Sequence, residues 1–161
     1  MLERLRRAVL LAEDMILVVV LVAMIGFAVA QIALRNLLGI GILWADPLVR
    51  VLVLWAGLIG AMVAARLDHH IVISAAAQFL PARWKTASRL FTDSATAAVC
   101  VIVALVATRF VHSDYQAGVM AFARVPAWVC ELIIPLAFFV LAGRYTLFAV
   151  ERARELLRPS R

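Results

Sequence analysis

The sequence predicts an all-α membrane protein: four transmembrane helices, short interfacial helices and both termini in the cytoplasm. Three observations carry this reading. The 161-residue chain contains four apolar runs of spanning length, at about 15–34, 47–65, 90–110 and 126–148. Its composition is 66% hydrophobic with a mean hydropathy of +1.02, where soluble domains rarely exceed about half apolar residues. Its arginines are distributed very unevenly between the runs. Each run approaches the ~20 residues that a helix needs to cross a hydrocarbon core of about 30 Å. Together they take up most of the chain, so it reads as a single four-span membrane domain.

The first run follows Arg4, Arg6 and Arg7 and ends at Arg35-Asn36. A cleavable secretory signal has an apolar core of about 7 to 15 residues and a small-residue cleavage site. This run continues to Leu34, so it is expected to be a retained span.

The second run opens at Asp46-Pro47. Proline suits a first helical turn and aspartate suits an N-cap. Arg50 lies one turn further in, and an i,i+4 pair with Asp46 is its expected partner. Two rows of small residues follow, Ala56, Gly60 and Ala64 beside Gly57, Ala61 and Ala65. In lipid, helices associate by close backbone approach rather than by hydrophobic drive. This face is therefore expected to be gripped by another helix.

The third run begins near Asp93, four residues after Arg89, which predicts an ion pair on a wet helix end. The fourth carries Glu131, just over a turn past Pro126 and without a basic residue within four positions. An ionisable group in a span costs at least about 2.5–3.5 kcal/mol on insertion scales. Glu131 therefore needs a partner or a proton, and Arg109 and Arg124 are the nearest candidates by topology. Trp44 and Trp128 are expected at the outer interface and Trp84 at the inner one, with Trp55 deeper as a packing residue. The connection from Arg66 to Arg89 has an apolar side made by Ile71, Val72, Ile73, Phe79 and Leu80, with Ser74 as a cap and Pro81 as a stop. It is expected to lie along the inner surface, as are Leu2–Arg7 and Glu151–Arg158.

Short basic loops stay in the cytoplasm. Twelve basic side chains belong to the amino end, the 66–89 connection and the carboxyl end, whereas Arg35, Arg109 and Arg124 alone fall on the opposite side. The net charge of +6 is thus a signal of topology and of contact with anionic lipid, and it does not imply nucleic-acid binding. Cys100 and Cys130 lie inside spans as small packing residues. His69, His70 and His112 sit at span ends, where haem ligation has no use for them. No cofactor, metal site or enzymatic activity is expected.

Arg35-Asn36, Trp44-Ala45-Asp46-Pro47-Leu48-Val49-Arg50, Trp55, Gly60-Ala61, Arg66 and His70-Ile71-Val72-Ile73 follow one another in an order that resembles the small permease subunit of tripartite ATP-independent periplasmic (TRAP) transporters, the DctQ-like family. Gly118, Pro126-Ala127-Trp128 and Ile134-Pro135-Leu136 extend the likeness over the second half. The chain departs from the family in having one carboxylate at Asp46-Pro47 where two adjacent acids are common, and Ser74 where an aspartate is frequent.

The resemblance implies a bacterial inner-membrane uptake system for organic acids. In it a periplasmic substrate-binding protein captures the solute, a large permease moves it on an ion gradient, commonly sodium, and this subunit accompanies the permease. Four spans lack the duplicated broken helices of a midplane transport site, which fits a scaffold. Ala56, Gly57, Gly60, Ala61 and Ala64 would pack on the large permease. Arg35, Asp46, Arg50, Arg109, Asp114 and Arg124 would form the outer rim that docks the binding protein. The alternative is a self-sufficient homo-oligomeric channel with Glu131 and Arg50 in its pore.

Overall fold

The computed structural model describes residues 2–39, 41–71 and 82–157. Helix α1 spans Leu2–Leu38, α2 Ala45–Ile71 and α3 Ala82–Ala117. After these come a short hairpin of β1 (Met120–Phe122) and β2 (Val125–Pro126), then α4 (Ala127–Glu131) and α5 (Ile133–Leu157). Four segments are long and apolar enough to cross a membrane: Leu10–Leu38, Ala45–Arg66, Thr86–Ala117 and Ala127–Arg154. They are longer than the apolar runs. The 32 residues of the third make about 48 Å of helix at 1.5 Å per residue, so it must tilt or emerge from a core of about 30 Å.

Helix ends are set by local chemistry. Gly39, at φ +65°, follows the last residue of α1. Gly118, at φ +63°, follows α3, where its N–H donates to Tyr115 O and that of Val119 to Asp114 O, both at 3.4 Å. That pair of bonds is a Schellman motif, which needs the left-handed conformation that glycine adopts without steric cost. At the start of α2 the N–H of Leu48 donates to Trp44 O at 3.2 Å. Trp44 is therefore the capping residue and Asp46 lies within the first turn, not at the N-cap that the sequence suggests. The fourth span is interrupted at Leu132, between α4 and α5, where the backbone stays in the right-handed helical region and the Leu132 N–H still donates to Trp128 O at 3.0 Å. Pro135 accounts for the break, because it has no N–H for the carbonyl of Glu131 and its ring crowds that carbonyl.

The chain divides into two compact units. The first comprises Met1–Val63 and Val111–Ile133. Within it, Gln31 Nε2 of α1 donates to Ile42 O and to Asp46 Oδ1, each at 3.3 Å. Phe27 meets Trp44 edge-on at 6.4 Å between ring centroids. The hairpin pairs Met120 with Pro126 and Phe122 with Val125 and turns through Ala123 at φ +50°. Tyr115 and Trp128 close it with a T-shaped contact at 5.6 Å.

The second unit comprises Ala64–Phe110 and Ile134–Arg161. Its buried residues are small: Ala97, Cys100, Ala104 and Ala107 on α3, and Ala137 and Ala142 with Leu141 on α5. Arg152 of α5 forms an ion pair with Asp93 and donates to Arg89 O at 3.3 Å. The hydroxyls of Thr108 and Thr146 donate to the carbonyls four residues back, both at 2.7 Å, which satisfies them without water.

The flanking segments differ from expectation. Leu2–Arg7 continues into α1, the 82–89 stretch into α3, and α5 runs on to Leu157 without a break, so these are extensions of the spans rather than separate interfacial helices. Ser74, Phe79, Leu80 and Pro81 lie outside the described residues.

Candidate partner interface and the polar groups of the spans

Helix α2 carries a buried face and an open one. Ile59, Met62 and Ala65 are buried, whereas Val53, Leu54, Gly57, Ala61 and Ala64 are exposed. The exposed positions recur at three- and four-residue spacing, which makes one continuous stripe. A Cβ added at Gly57 or Gly60 would meet nothing within 4 Å. The open face thus draws on both small-residue rows. Gly57, Ala61 and Ala64 form the open face, Ala65 turns inward, and Ala56 and Gly60 are half-buried. Helix α1 is more open still, with 6% of its apolar window buried within the chain.

The charged side chains do not meet as the spacing suggests. Asp46 accepts from Gln31, and among the described residues it forms no ion pair with Arg50, which is exposed. The amide competes successfully because it lies across the α1–α2 turn and is fixed by two acceptors at once. Asp93 is 5% exposed and meets Arg152, so it belongs to a buried pair and not to a wet helix end. Within its own unit Glu131 does not meet Arg124. Its neighbour is Asp114, and its Oε2 is buried without a hydrogen-bond partner. The hairpin is the cause: it returns the chain so that α4 lies beside the last turn of α3, whereas topology alone suggested the arginines of the same end. Arg35, Arg109 and Arg124 are exposed.

Trp55 is more than a packing residue. Its Nε1 donates to Cys130 O at 2.9 Å, which fixes the second helix to the broken fourth span. Sequence reasoning missed Gln31, Arg152 and this bond. Pro135 was the available signal for the last of them, since a proline inside a span marks carbonyls that need donors.

Four spans, an arginine-flanked turn between the first two and a proline-broken fourth are now in place. The sequence profile of the tripartite ATP-independent periplasmic transporters, DctQ component, matches residues 24–155, more than four-fifths of the chain. The protein belongs to the DctQ family. Among curated proteins, no match is found. The match begins within α1 and ends in α5, so it includes the turn, the open face of α2, the hairpin and the break. DctQ proteins are components of a transporter and do not constitute an enzyme family. With four spanning helices, this DctQ chain is a multi-pass membrane protein and one part of a multicomponent assembly.

Proposed function

We propose that the protein is the scaffold subunit that holds the large permease of a TRAP-type transporter for organic acids. The observation that carries this reading is the open stripe of Gly57, Ala61 and Ala64 on α2. Small residues on a transmembrane helix permit close backbone approach, and here the chain leaves that approach unused.

On this reading the subunit lies in the bacterial inner membrane with both termini cytoplasmic. The α1–α2 turn and the hairpin then face the periplasm. The exposed Arg35, Arg109 and Arg124, with Asp114, help to dock the substrate-binding protein. Contacts through such charges act on association rate and are screened by salt.

The test is uptake by cells lacking only this subunit. Growth on a panel of carboxylates as sole carbon source identifies the solute that the strain no longer takes up. The wild-type chain is expected to restore that uptake, and the Gly57→Leu, Ala61→Leu double variant is expected to accumulate in the membrane without restoring it. Restoration by the double variant would remove the assigned role of the stripe. Exchange of the charges at Arg35, Arg109 and Arg124 is expected to lower uptake and flatten its salt dependence, and an unchanged salt dependence would refute the docking role.

A further inference from the structure

A cavity of about 300 Å³ opens beside the α1–α2 turn, lined by Ala28, Gln31, Ile32, Asp46, Val49 and Arg50. We propose that it holds the headgroup of a phospholipid with a primary ammonium group, of the phosphatidylethanolamine type. Asp46 and Arg50 carry opposite charges at i,i+4 spacing, yet both are exposed and they do not pair. Gln31 explains the separation. Its Nε2 is committed to Ile42 O and Asp46 Oδ1, each at 3.3 Å, which holds Asp46 toward α1 and fixes which end of the amide is nitrogen.

The remaining groups define the ligand. Arg50 offers guanidinium donors to an anion, which suits a phosphate. Asp46 keeps one carboxylate oxygen that Gln31 does not occupy, and it calls for a cationic donor. Gln31 Oε1 is buried without a partner, a second acceptor close to the same place. Ala28, Ile32 and Val49 supply an apolar wall within helices of spanning length, where an acyl chain can lie. A molecule with a phosphate, an ammonium two carbons away and an apolar tail meets all three requirements. Phosphatidylcholine offers no N–H to Asp46, and phosphatidylglycerol offers no positive charge. A free phosphate ester would leave the apolar wall bare. The site is independent of the partner reading above, and it assigns Asp46 and Arg50 to lipid rather than to the binding protein.

The experiment is native mass spectrometry of the full chain released from nanodiscs that contain equal amounts of phosphatidylethanolamine, phosphatidylcholine and phosphatidylglycerol. The wild type is expected to retain phosphatidylethanolamine about tenfold over phosphatidylcholine, the ratio that one charge-assisted hydrogen bond supplies. Asp46→Asn is expected to lose that preference while still retaining lipid. Asp46→Glu is expected to keep it, and Arg50→Gln to lower retention of all three. Equal retention of the three lipids by the wild type would overturn the proposal, as would an unchanged preference in Asp46→Asn.

Discussion

Trp55 Nε1 donates to the carbonyl oxygen of Cys130 at 2.9 Å, across 75 positions of sequence. The acceptor is adjacent to Glu131, whose own carbonyl Pro135 leaves without a helical donor. The bond therefore sits next to the one carbonyl of the fourth span that proline deprives of its helical donor, and it ties α2 to α4. Trp55→Phe keeps the ring and removes the N–H. Hydrogen bonds between helices in membranes contribute about 0.6 kcal/mol on average and at most about 1.7. A loss of about 1 kcal/mol is expected, read as a lower thermal midpoint of the purified chain. A midpoint equal to that of the wild type would mean that the bond contributes nothing.

Asp93 and Arg152 form an ion pair between α3 and α5 in the second unit. Arg152 also serves Arg89 O at 3.3 Å, so its guanidinium meets two groups at once. Removing one partner of a buried pair leaves the other uncompensated, at a cost of about 3–5 kcal/mol. Asp93→Asn and Arg152→Gln are each expected to reduce the amount of folded protein in the membrane severalfold. The double variant is expected to lose less than the sum of the two, because no buried charge is stranded in it. Strict additivity in detergent thermal melts would contradict the pairing.

Glu131 makes the opposite prediction. Its side chain shares a hydrogen bond with Asp114, a second acid, and its Oε2 has no partner. Glu131→Gln replaces a carboxylate with an amide whose N–H can donate to Asp114. The variant is expected to be at least as stable as the wild type in thermal melts. If an arginine held Glu131, the same change would cost several kcal/mol, and a large loss of stability would restore that reading.

Orientation is tested by labelling. Cys100 and Cys130 are buried, so the background with a membrane-impermeant maleimide is low. A cysteine introduced at Ala123, in the hairpin turn, is expected to react from the periplasmic side of intact cells. One introduced at Arg154 is expected to react only after the membrane is opened. The reverse pattern would invert the topology.

The spans were legible because apolar run length responds to a single variable, the thickness of the hydrocarbon core. Ion-pair partners were not legible by the same means. Asp46 and Arg50 have helical spacing suited to a pair, yet an amide from the preceding helix takes Asp46. Glu131 was expected to meet an arginine of its own end, and a seven-residue hairpin puts Asp114 beside it. Each error has the same origin: i,i+4 spacing and sidedness are local rules, whereas a charged group inside a span is satisfied by whichever element the turns bring to it. The small residues of α2 were legible as a pattern, and the structure adds which of the positions are open. Gly57, Ala61 and Ala64 face outward while Ala65 does not.

The central claim is that this open face belongs against a larger permease. The most direct measurement is affinity purification of the full chain from its native membrane in mild detergent, with quantitative mass spectrometry of what accompanies it, repeated for the Gly57→Leu, Ala61→Leu variant. The account predicts a many-span permease in roughly equal amount with the wild type and its loss from the variant, which should remain folded because both positions are exposed and a Cβ at Gly57 meets nothing within 4 Å. Recovery of the wild type with copies of itself alone would contradict the account and favour a homo-oligomeric channel.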